Sequence, residues 1–204
     1  MQRKNSSADT SPTASQMLRA LGLALASKQY RNLNESNKFH EFTQGGNEVA
    51  FATIGDASTS EGHFFETVNA AGVMQVPLAI SVWDDGWGIS VANEIQTTKG
   101  NISEALKGFE KHKNTNGLAI HRAQCSDYAS LILTYKKGID QCRKDHVPTL
   151  FHIQGCTQPQ GHSTSGSHER YKSPEQLKKE VENDCILKMR EWILKEKIAS
   201  PEEL

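Results

Sequence analysis

The sequence predicts an α/β protein with a three-layer α/β/α arrangement around a mainly parallel sheet. Short apolar runs that suit buried strands alternate along the chain with longer amphipathic runs that suit helices. The strand-like runs are nearly continuous in apolar residues, as expected for strands that are covered on both faces. Strands that alternate with helices in this way indicate parallel pairing through crossover helices.

The predicted elements follow one another in a regular order. A helix that opens at Ser11-Pro12-Thr13 comes first. Strands are predicted at residues 48–54, 77–83, 118–121 and 149–154, and further helices at 61–73, 102–109, 127–143 and from 173 onwards. Residues 1–10 are predicted to be a disordered leader, and residues 11–204 one domain with a polar insertion at 31–47.

Composition argues against several classes of function. The formal net charge of the 204 residues is −1, which does not favour binding to nucleic acid or to an anionic membrane. No apolar run approaches the roughly 20 residues of a membrane helix, and the polar N-terminus has no apolar signal core, so a cytoplasmic protein is expected. The four cysteines form no CxxC pair, which favours idle thiols over a zinc site or a disulfide.

Acidic residues follow two of the predicted strands. Asp56 comes after the first strand, and Asp84-Asp85 come after the second. Because ligands of parallel sheets bind at the carboxyl ends of the strands, these carboxylates are candidate ligands of a hard cation such as Mg²⁺. Two other interpretations stay open: Asp56 caps the next helix, and Asp84-Asp85 form a solvated acidic turn.

The run that contains these acids resembles a known motif. It reads GDASTSEGHFFETVNAAGVMQVPLAISVWDDGWGIS and resembles the thiamine diphosphate motif of 2-oxoacid dehydrogenases, in the alpha-type part of the decarboxylating component. The resemblance implies a thiamine diphosphate-binding fold in which Asp56 and Asp85 are magnesium ligands and Trp87 gives its backbone carbonyl to the metal. It also implies that Ala57, Ser58 and Ile89, which lie near these ligands in the sequence, contact the cofactor. The sequence departs from the motif where Ala57 replaces a glycine and where Asp84-Asp85 replace a pair of asparagines.

Two other segments resemble the same family. The run SPTASQMLRALGLALASK resembles a helix start whose backbone meets the aminopyrimidine ring, which implies cofactor contacts at Ser11 and Thr13. The run GHSTSGSHERYKSPEQL resembles the family's Gly-His-Ser-x-Ser loop, whose histidine reaches the diphosphate and the reacting centre; His162 has that position. Ser163 matches a serine that is phosphorylated in mitochondrial relatives. Gly166-Ser167 stand where the family has Asp-Asp, so regulation by a kinase is not carried over.

The resemblance implies oxidative decarboxylation of a 2-oxo acid, with acyl transfer to a lipoyl group on the acyltransferase of a multienzyme complex. His162 would act there as an acid or a hydrogen-bond donor. The loop at residues 162–165 favours a branched-chain substrate, with pyruvate as the alternative. A beta-type domain or subunit is expected to supply a glutamate that this chain lacks. The chain is therefore expected to be inactive alone and to be part of an oligomer. It is expected to be either artificially shortened or a piece of a longer polypeptide. Two rival functions are transketolase-type ketol transfer and a catalytically inert interaction domain.

Overall fold

The computed structural model describes residues 11–33, 40–162 and 168–204. The four long strands are β1 (Ala50–Gly55), β2 (Leu78–Asp84), β5 (Ala119–Gln124) and β6 (Thr149–Gln154). They form one sheet in the order β1-β2-β6-β5, and every pairing in it is parallel. The short strands β3 (Trp87–Gly88) and β4 (Val91–Ala92) pair antiparallel in a hairpin. The predicted α/β class is confirmed.

The position of each strand in the sheet follows from its hydrophobic pattern. β2 and β6 lie in the middle of the sheet, and almost every residue in them is buried. The edge strands β1 and β5 mix buried with exposed residues, because neither is covered on both faces along its length. The continuous apolar runs therefore mark the central strands.

Helices lie on both faces of the sheet. The helices are α1 (Gln16–Asn32), α2 (Gly62–Met74), α3 (Asn93–Gln96), α4 (Ile102–Ala105), α5 (Tyr128–Asp145), α6 (Pro174–Glu182) and α7 (Cys185–Lys195). On one face, Met17 of α1 and Phe64 of α2 belong to the same buried cluster as Ile80 of β2. On the other face, Tyr135 of α5 packs against a smaller cluster that contains Phe151 of β6. This is the predicted three-layer arrangement.

The C-terminal helix differs from its prediction. One helix was expected from residue 173 onwards, but the chain forms α6 and α7 with a break at Asn183-Asp184. Asp184 has extended backbone angles, and its carboxylate accepts hydrogen bonds from the amides of Ile186 and Leu187, so it starts a new helix. The break turns Cys185 and other residues of α7 towards the site described below.

Several predicted boundaries also move. The first helix begins at Gln16, after a turn, and runs through Arg31 and Asn32, which were predicted to start the polar insertion. The helix predicted at 102–109 is only α4 followed by a single 3₁₀ turn, and the strand predicted at 118–121 extends to Gln124. The leader at 1–10, residues 34–39 of the insertion, and residues 163–167 of the loop lie outside the described residues. Within the described part of the chain, no helix combines the length and apolar character needed to cross a membrane.

Candidate functional site

Asp56 lies at the carboxyl end of β1 and is almost fully buried, with 3 % of its surface exposed. Its amide donates a hydrogen bond to the Trp83 carbonyl, 3.1 Å away, which extends the pairing of β1 with β2. The residue begins a 3₁₀ turn, yet its side chain makes no capping hydrogen bond. The Oδ2 atom of Asp56 has no hydrogen-bond partner among the described residues. Helix capping therefore does not explain this buried carboxylate.

The next strand, β2, ends in the two acids of the Asp84-Asp85 turn. Asp84 is 9 % exposed, and the side chain of Asp85 is 7 % exposed, so the turn is not solvated. Gly86 follows with a φ of +78°, a left-handed conformation that suits glycine. The turn thereby holds two carboxylates close enough to Asp56 for their charges to act on its pKa.

The carboxylate of Asp84 is fully engaged by protein groups. Its Oδ1 accepts hydrogen bonds from the Gly86 amide at 2.9 Å and the Asn93 Nδ2 at 3.2 Å. Its Oδ2 lies 2.7 Å from Nε2 of His152, a fully buried residue of β6. On the other side of the ring, His152 Nδ1 lies 2.9 Å from Ser103 Oγ. These partners lower the pKa of Asp84 even though burial opposes its ionisation.

The chain of polar contacts continues from His152 to the surface. Ser103 Oγ accepts a hydrogen bond from Nε of Arg122 at 2.7 Å and donates one to Oδ1 of Asn101 at 3.0 Å. Arg122 in turn forms an ion pair with Glu104 at 2.7 Å. These contacts link the buried pair of Asp84 and His152 to the exposed ion pair of Arg122 and Glu104.

The carboxylate of Asp85 has fewer hydrogen-bond partners than that of Asp84. Its Oδ1 accepts a hydrogen bond from the Trp87 amide at 3.1 Å, which fixes the turn. Its Oδ2 lies 3.0 Å from Nε2 of His162, as an ion-pair contact without hydrogen-bond geometry, and has no hydrogen-bond partner among the described residues. His162 Nδ1 is likewise buried and without a partner there. Asp85 and His162 therefore both keep a polar atom available.

The crowding of these acids changes their proton affinities. Burial, together with the negative charges of Asp84 and Asp85, raises the pKa of Asp56 to about 7. Burial also raises the pKa of Asp85, although the positive charges of His162 and Lys172 oppose this. Two buried carboxyl groups with raised pKa values, each with an oxygen atom that lacks a hydrogen-bond partner among the described residues, are a site where a bound cation would relieve the repulsion.

The residues after the turn form the β3–β4 hairpin. Ile89, between the two strands, has a φ of 58°. Such a left-handed conformation is strained for a β-branched residue and often marks a functional site. The Ile89 side chain is 56 % exposed and lines the cavity described below. The hairpin therefore presents an apolar side chain next to the acids at an energetic cost.

The hairpin makes room for Ala57, which stands where the motif has a glycine. A Cβ atom added to Gly88 would lie 2.8 Å from the Cβ of Ala57 and 2.9 Å from Oε1 of Gln96. Real side chains do not approach so closely, so the absence of a side chain at position 88 leaves the room that Ala57 occupies. The Trp87 ring also contacts two residues from the C-terminal part of the chain. The ring centroids of Trp87 and Tyr171 are 5.5 Å apart, and the Lys172 ammonium lies 5.4 Å from the Trp87 ring centroid.

These residues surround one large cavity of about 1290 Å³ at the carboxyl ends of the strands. Seven of the predicted site residues line it: Asp56, Ala57, Ser58, Asp85, Trp87, Ile89 and His162. Much of the remaining wall is apolar and comes from α5, α7 and the end of β2, for example Ile132, Met189 and Trp83. Ser11 and Thr13 are exposed and do not line the cavity, whereas Gln16 does, with its Nε2 3.1 Å from the Thr53 carbonyl oxygen.

The geometry suits a cation that has only two acidic side-chain ligands. In the part of the chain that the structure describes, no group of three or more histidine, cysteine, aspartate or glutamate side chains is arranged to hold a metal ion. Asp84 cannot add a third carboxylate, because both of its oxygen atoms are already engaged by protein donors. The unpaired oxygens of Asp56 and Asp85 are therefore the available anionic ligands.

Two features of the site were missed in the sequence. No role was predicted for His152, which lies in the core and pairs with Asp84. The signal was present, because a histidine inside the apolar run TLFHIQ must be buried and therefore needs a polar partner. The contributions of α5 and α7 to the cavity wall had no such signal.

Comparison with known proteins adds independent findings. The family model described as "Dehydrogenase E1 component" matches residues 2–204. The chain is 27 % identical over 186 residues to the pyruvate dehydrogenase E1 component subunit alpha of Acholeplasma laidlawii, covering 90 % of this chain and 47 % of that protein. It is 27 % identical over 183 residues to the 3-methyl-2-oxobutanoate dehydrogenase subunit alpha of Mycobacterium tuberculosis, covering 89 % and 44 %. It is 24 % identical over 194 residues to the 2-oxoisovalerate dehydrogenase subunit alpha of Bacillus subtilis, covering 95 % and 52 %. The chain thus spans about half the length of the curated relatives it matches.

Proposed function

Because the chain belongs to the dehydrogenase E1 component family, we propose that it forms the alpha-type half of a 2-oxoacid dehydrogenase active site that binds thiamine diphosphate and Mg²⁺. The observation that carries the proposal is the pair of buried acids, Asp56 and Asp85: both residues line the same cavity, and each has one buried oxygen atom without a hydrogen-bond partner among the described residues. A buried carboxylate oxygen without a hydrogen-bond donor is costly unless a cation compensates for it.

In this proposal, the metal is held by the Asp56 and Asp85 carboxylates and by the backbone carbonyl of Trp87. Oxygen ligands of this kind suit Mg²⁺, which keeps further positions for phosphate oxygens and water. The Trp87 amide is already bound to Asp85 Oδ1, which fixes the peptide on which this carbonyl depends. Ala57 and Ser58 begin the turn beside Asp56, close to where the diphosphate would lie.

The two aspartates that replace the motif's asparagines do not add two uncompensated charges. Asp84 is paired with His152 and with two further donors, so protein groups already stabilise its carboxylate. Compared with the motif, only Asp85 adds negative charge to the metal site, and His162 and Lys172 lie close enough to oppose that charge. We therefore expect tight metal binding and a small penalty for the anionic cofactor tail.

When bound, thiamine diphosphate supplies the electron sink that allows a 2-oxo acid to lose CO₂. The residues of this chain bind and orient the reactants and exclude water from them. His162 is held by Asp85 through Nε2, which leaves Nδ1 to give a proton or a hydrogen bond to a group in the cavity. Ile89 presents its apolar side chain to the same space.

The wall of the cavity supports a substrate with an apolar side chain. Ile132, Met189 and Trp83 provide apolar surface, as a branched-chain 2-oxo acid would require. The sequence of the loop at 162–165 favours the same substrate class, and pyruvate is the alternative. The acyl group would pass to a lipoyl group on the acyltransferase of a multienzyme complex. A beta-type domain or subunit would supply the glutamate that completes the site.

The experiment isolates the assembly that this chain forms, by an affinity tag on the chain, and measures CO₂ release from 3-methyl-2-oxobutanoate and from pyruvate with thiamine diphosphate and Mg²⁺. We expect release from at least one 2-oxo acid and its loss in Asp56→Ala. The matched control is Asp140→Asn, which removes an exposed acid of α5 and should keep full activity. The isolated chain is expected to bind the cofactor weakly and to show no turnover.

The same assembly separates the rival functions. Ketol transfer between sugar phosphates without CO₂ release would indicate a transketolase-type enzyme. An assembly that neither releases CO₂ nor binds thiamine diphosphate in calorimetry would be an inert interaction domain. Unchanged Mg²⁺-dependent cofactor affinity in Asp56→Ala would count against the assignment of the metal ligands.

A further inference from the structure

Two cysteines lie side by side at the carboxyl edge of the sheet, where the proposed cofactor chemistry does not use them. Cys125 directly follows β5, and its amide donates a hydrogen bond to the Gln154 carbonyl at 2.8 Å. Cys156 follows β6, and its amide donates to the Asp84 carbonyl at 2.9 Å. Both thiols are free, both side chains are partly exposed, and both line the large cavity.

Regular strand geometry would keep these two side chains apart. Gln124 is paired with Gln154, so the residue opposite Cys125 is Gly155, one position before Cys156. Side chains alternate between the faces of a sheet, which would send Cys156 to the face opposite to Cys125. Gly155 has a φ of +71°, which interrupts the alternation and turns Cys156 into the cavity. The glycine thus brings the two thiols onto one wall.

The distance between them suits a covalent bond. Neighbouring strands lie about 4.8 Å apart, and an offset of one residue gives a Cα separation of about 6 Å. Disulfides span Cα separations of about 4.4–6.8 Å, a range that includes this spacing, and both cysteines pack against the same apolar cluster. A side chain at position 155 would be strained by the φ of +71°, and its Cβ atom would lie 3.1 Å from Oε1 of Gln124.

The two thiols also differ in reactivity. The Cys156 thiol has two acceptors in reach, the Ile153 carbonyl oxygen at 3.5 Å and the Cys125 sulfur. The hydrogen bond between the two thiols lowers the pKa of Cys125 to about 7. The same hydrogen bond and burial raise the pKa of Cys156. Cys125 is therefore the more readily ionised of the two thiols. By contrast, burial raises the pKa of Cys142 to about 12.

We propose that Cys125 and Cys156 form a redox-active dithiol site that exchanges with low-molecular-weight disulfides. The Cys125 thiolate attacks one sulfur of the external disulfide, forms a mixed disulfide, and expels one external thiolate. The Cys156 thiol then gives its proton to that thiolate or to water, attacks the Cys125 sulfur, and expels the second external thiolate. The protein loses two electrons and two protons and gains a Cys125–Cys156 disulfide, while the external disulfide becomes two thiols.

The site is independent of the proposed cofactor chemistry, but it would affect the same cavity. A bond between Cys125 and Cys156 would join the ends of β5 and β6. The Cys156 amide holds the Asp84 carbonyl, so the bond would also restrain the acidic turn. Oxidation would thereby change the shape of the wall that faces a substrate.

The test treats the reduced full chain with oxidised glutathione at pH 7 without oxygen, followed by intact mass and peptide mapping. We expect the wild type to lose the mass of two hydrogen atoms and to show a peptide linked through Cys125 and Cys156. In Cys156→Ser, the glutathione adduct should accumulate on Cys125. In Cys125→Ser, Cys156 should remain unmodified. The matched control is Cys185→Ser, which removes another thiol of the cavity and should still form the internal bond.

Three results would overturn the proposal. The wild type could keep all four thiols, it could retain a stable glutathione adduct on Cys125 without an internal bond, or it could link Cys125 to Cys185. Circular dichroism of each serine variant verifies that it is folded. The change from sulfur to oxygen is small, so each serine variant is expected to keep the fold.

Discussion

Replacement of Asp56 by asparagine is expected to stabilise the metal-free protein above neutral pH. Asparagine keeps the shape of the side chain but removes a buried negative charge that lies beside Asp84 and Asp85. The pKa of Asp56 is about 7 in the folded protein and 3.8 for an ordinary aspartate. The folded state therefore binds this proton more strongly than the unfolded state does, and its stability falls as the pH rises from about 4 to about 7.

The magnitude follows from the same two values. A rise of the pKa from 3.8 to about 7 corresponds to about 4 kcal/mol at about 1.4 kcal/mol per pKa unit. The effective dielectric constant around buried groups in proteins is well above that of a dry interior, which weakens such interactions, so we expect about half of this, or about 2 kcal/mol, to be observed. Asp56→Asn should thus be about 2 kcal/mol more stable than the wild type at pH 8 and nearly equal to it at pH 4.

The assay is urea unfolding at pH values from 4 to 8 with a chelator present. In a second series without the chelator, Mg²⁺ should raise the unfolding free energy of the wild type but not of Asp56→Asn, because only the wild type keeps both anionic ligands. The control Asp140→Asn loses an exposed ion pair with Lys136 and should change stability by less than about 1 kcal/mol at any pH. A variant that is less stable than the wild type at pH 8 would refute the reasoning.

Three further predictions concern the surroundings of the acids, each measured by urea unfolding. His152→Ala should cost about 3–5 kcal/mol, because it leaves one oxygen of the buried Asp84 carboxylate without its partner; a loss below about 1 kcal/mol would contradict the pairing. Gly88→Ala should cost about 1–3 kcal/mol through the contact with Ala57, and Ala57→Gly in the same chain should restore most of it; failure of this rescue would place the strain elsewhere. Ile89→Gly should stabilise the protein by about 1 kcal/mol, because glycine tolerates the φ of 58°, while cofactor binding by the assembly should weaken; a loss of stability would show that side-chain packing outweighs the strain.

Much of the fold could be predicted from local sequence alone. The continuous apolar runs identified the buried strands β2 and β6, because a strand covered on both faces needs apolar residues at every position. Element ends were less accurate, and the break between α6 and α7 was missed. The apolar periodicity continues across Asn183-Asp184, so only the capping ability of Asp184 could have indicated a new helix.

The acids of the site could be predicted because they follow strands that end at one edge of a parallel sheet. Asp56 and Asp85 do lie in one cavity, and neither helix capping nor a solvated turn describes them. The role of Asp84 could not be predicted, because its partner His152 is distant in sequence and its pairing depends on the register of β2 with β6. For the same reason, the contact of Cys125 with Cys156 could not be found without the register of β5 with β6.

The most direct test of the paired-carboxylate site is a titration of the full chain with Mn²⁺ in the presence of pyrophosphate, followed by amide resonance broadening in NMR. Mn²⁺ broadens the signals of residues close to it and replaces Mg²⁺ at sites of oxygen ligands. We expect residues 55–58 and 84–89 to broaden first in the wild type and to be spared in Asp56→Ala. If broadening instead begins elsewhere, for example at the exposed acids Glu202 and Glu203, and is the same in Asp56→Ala, the two buried carboxylates do not bind the metal.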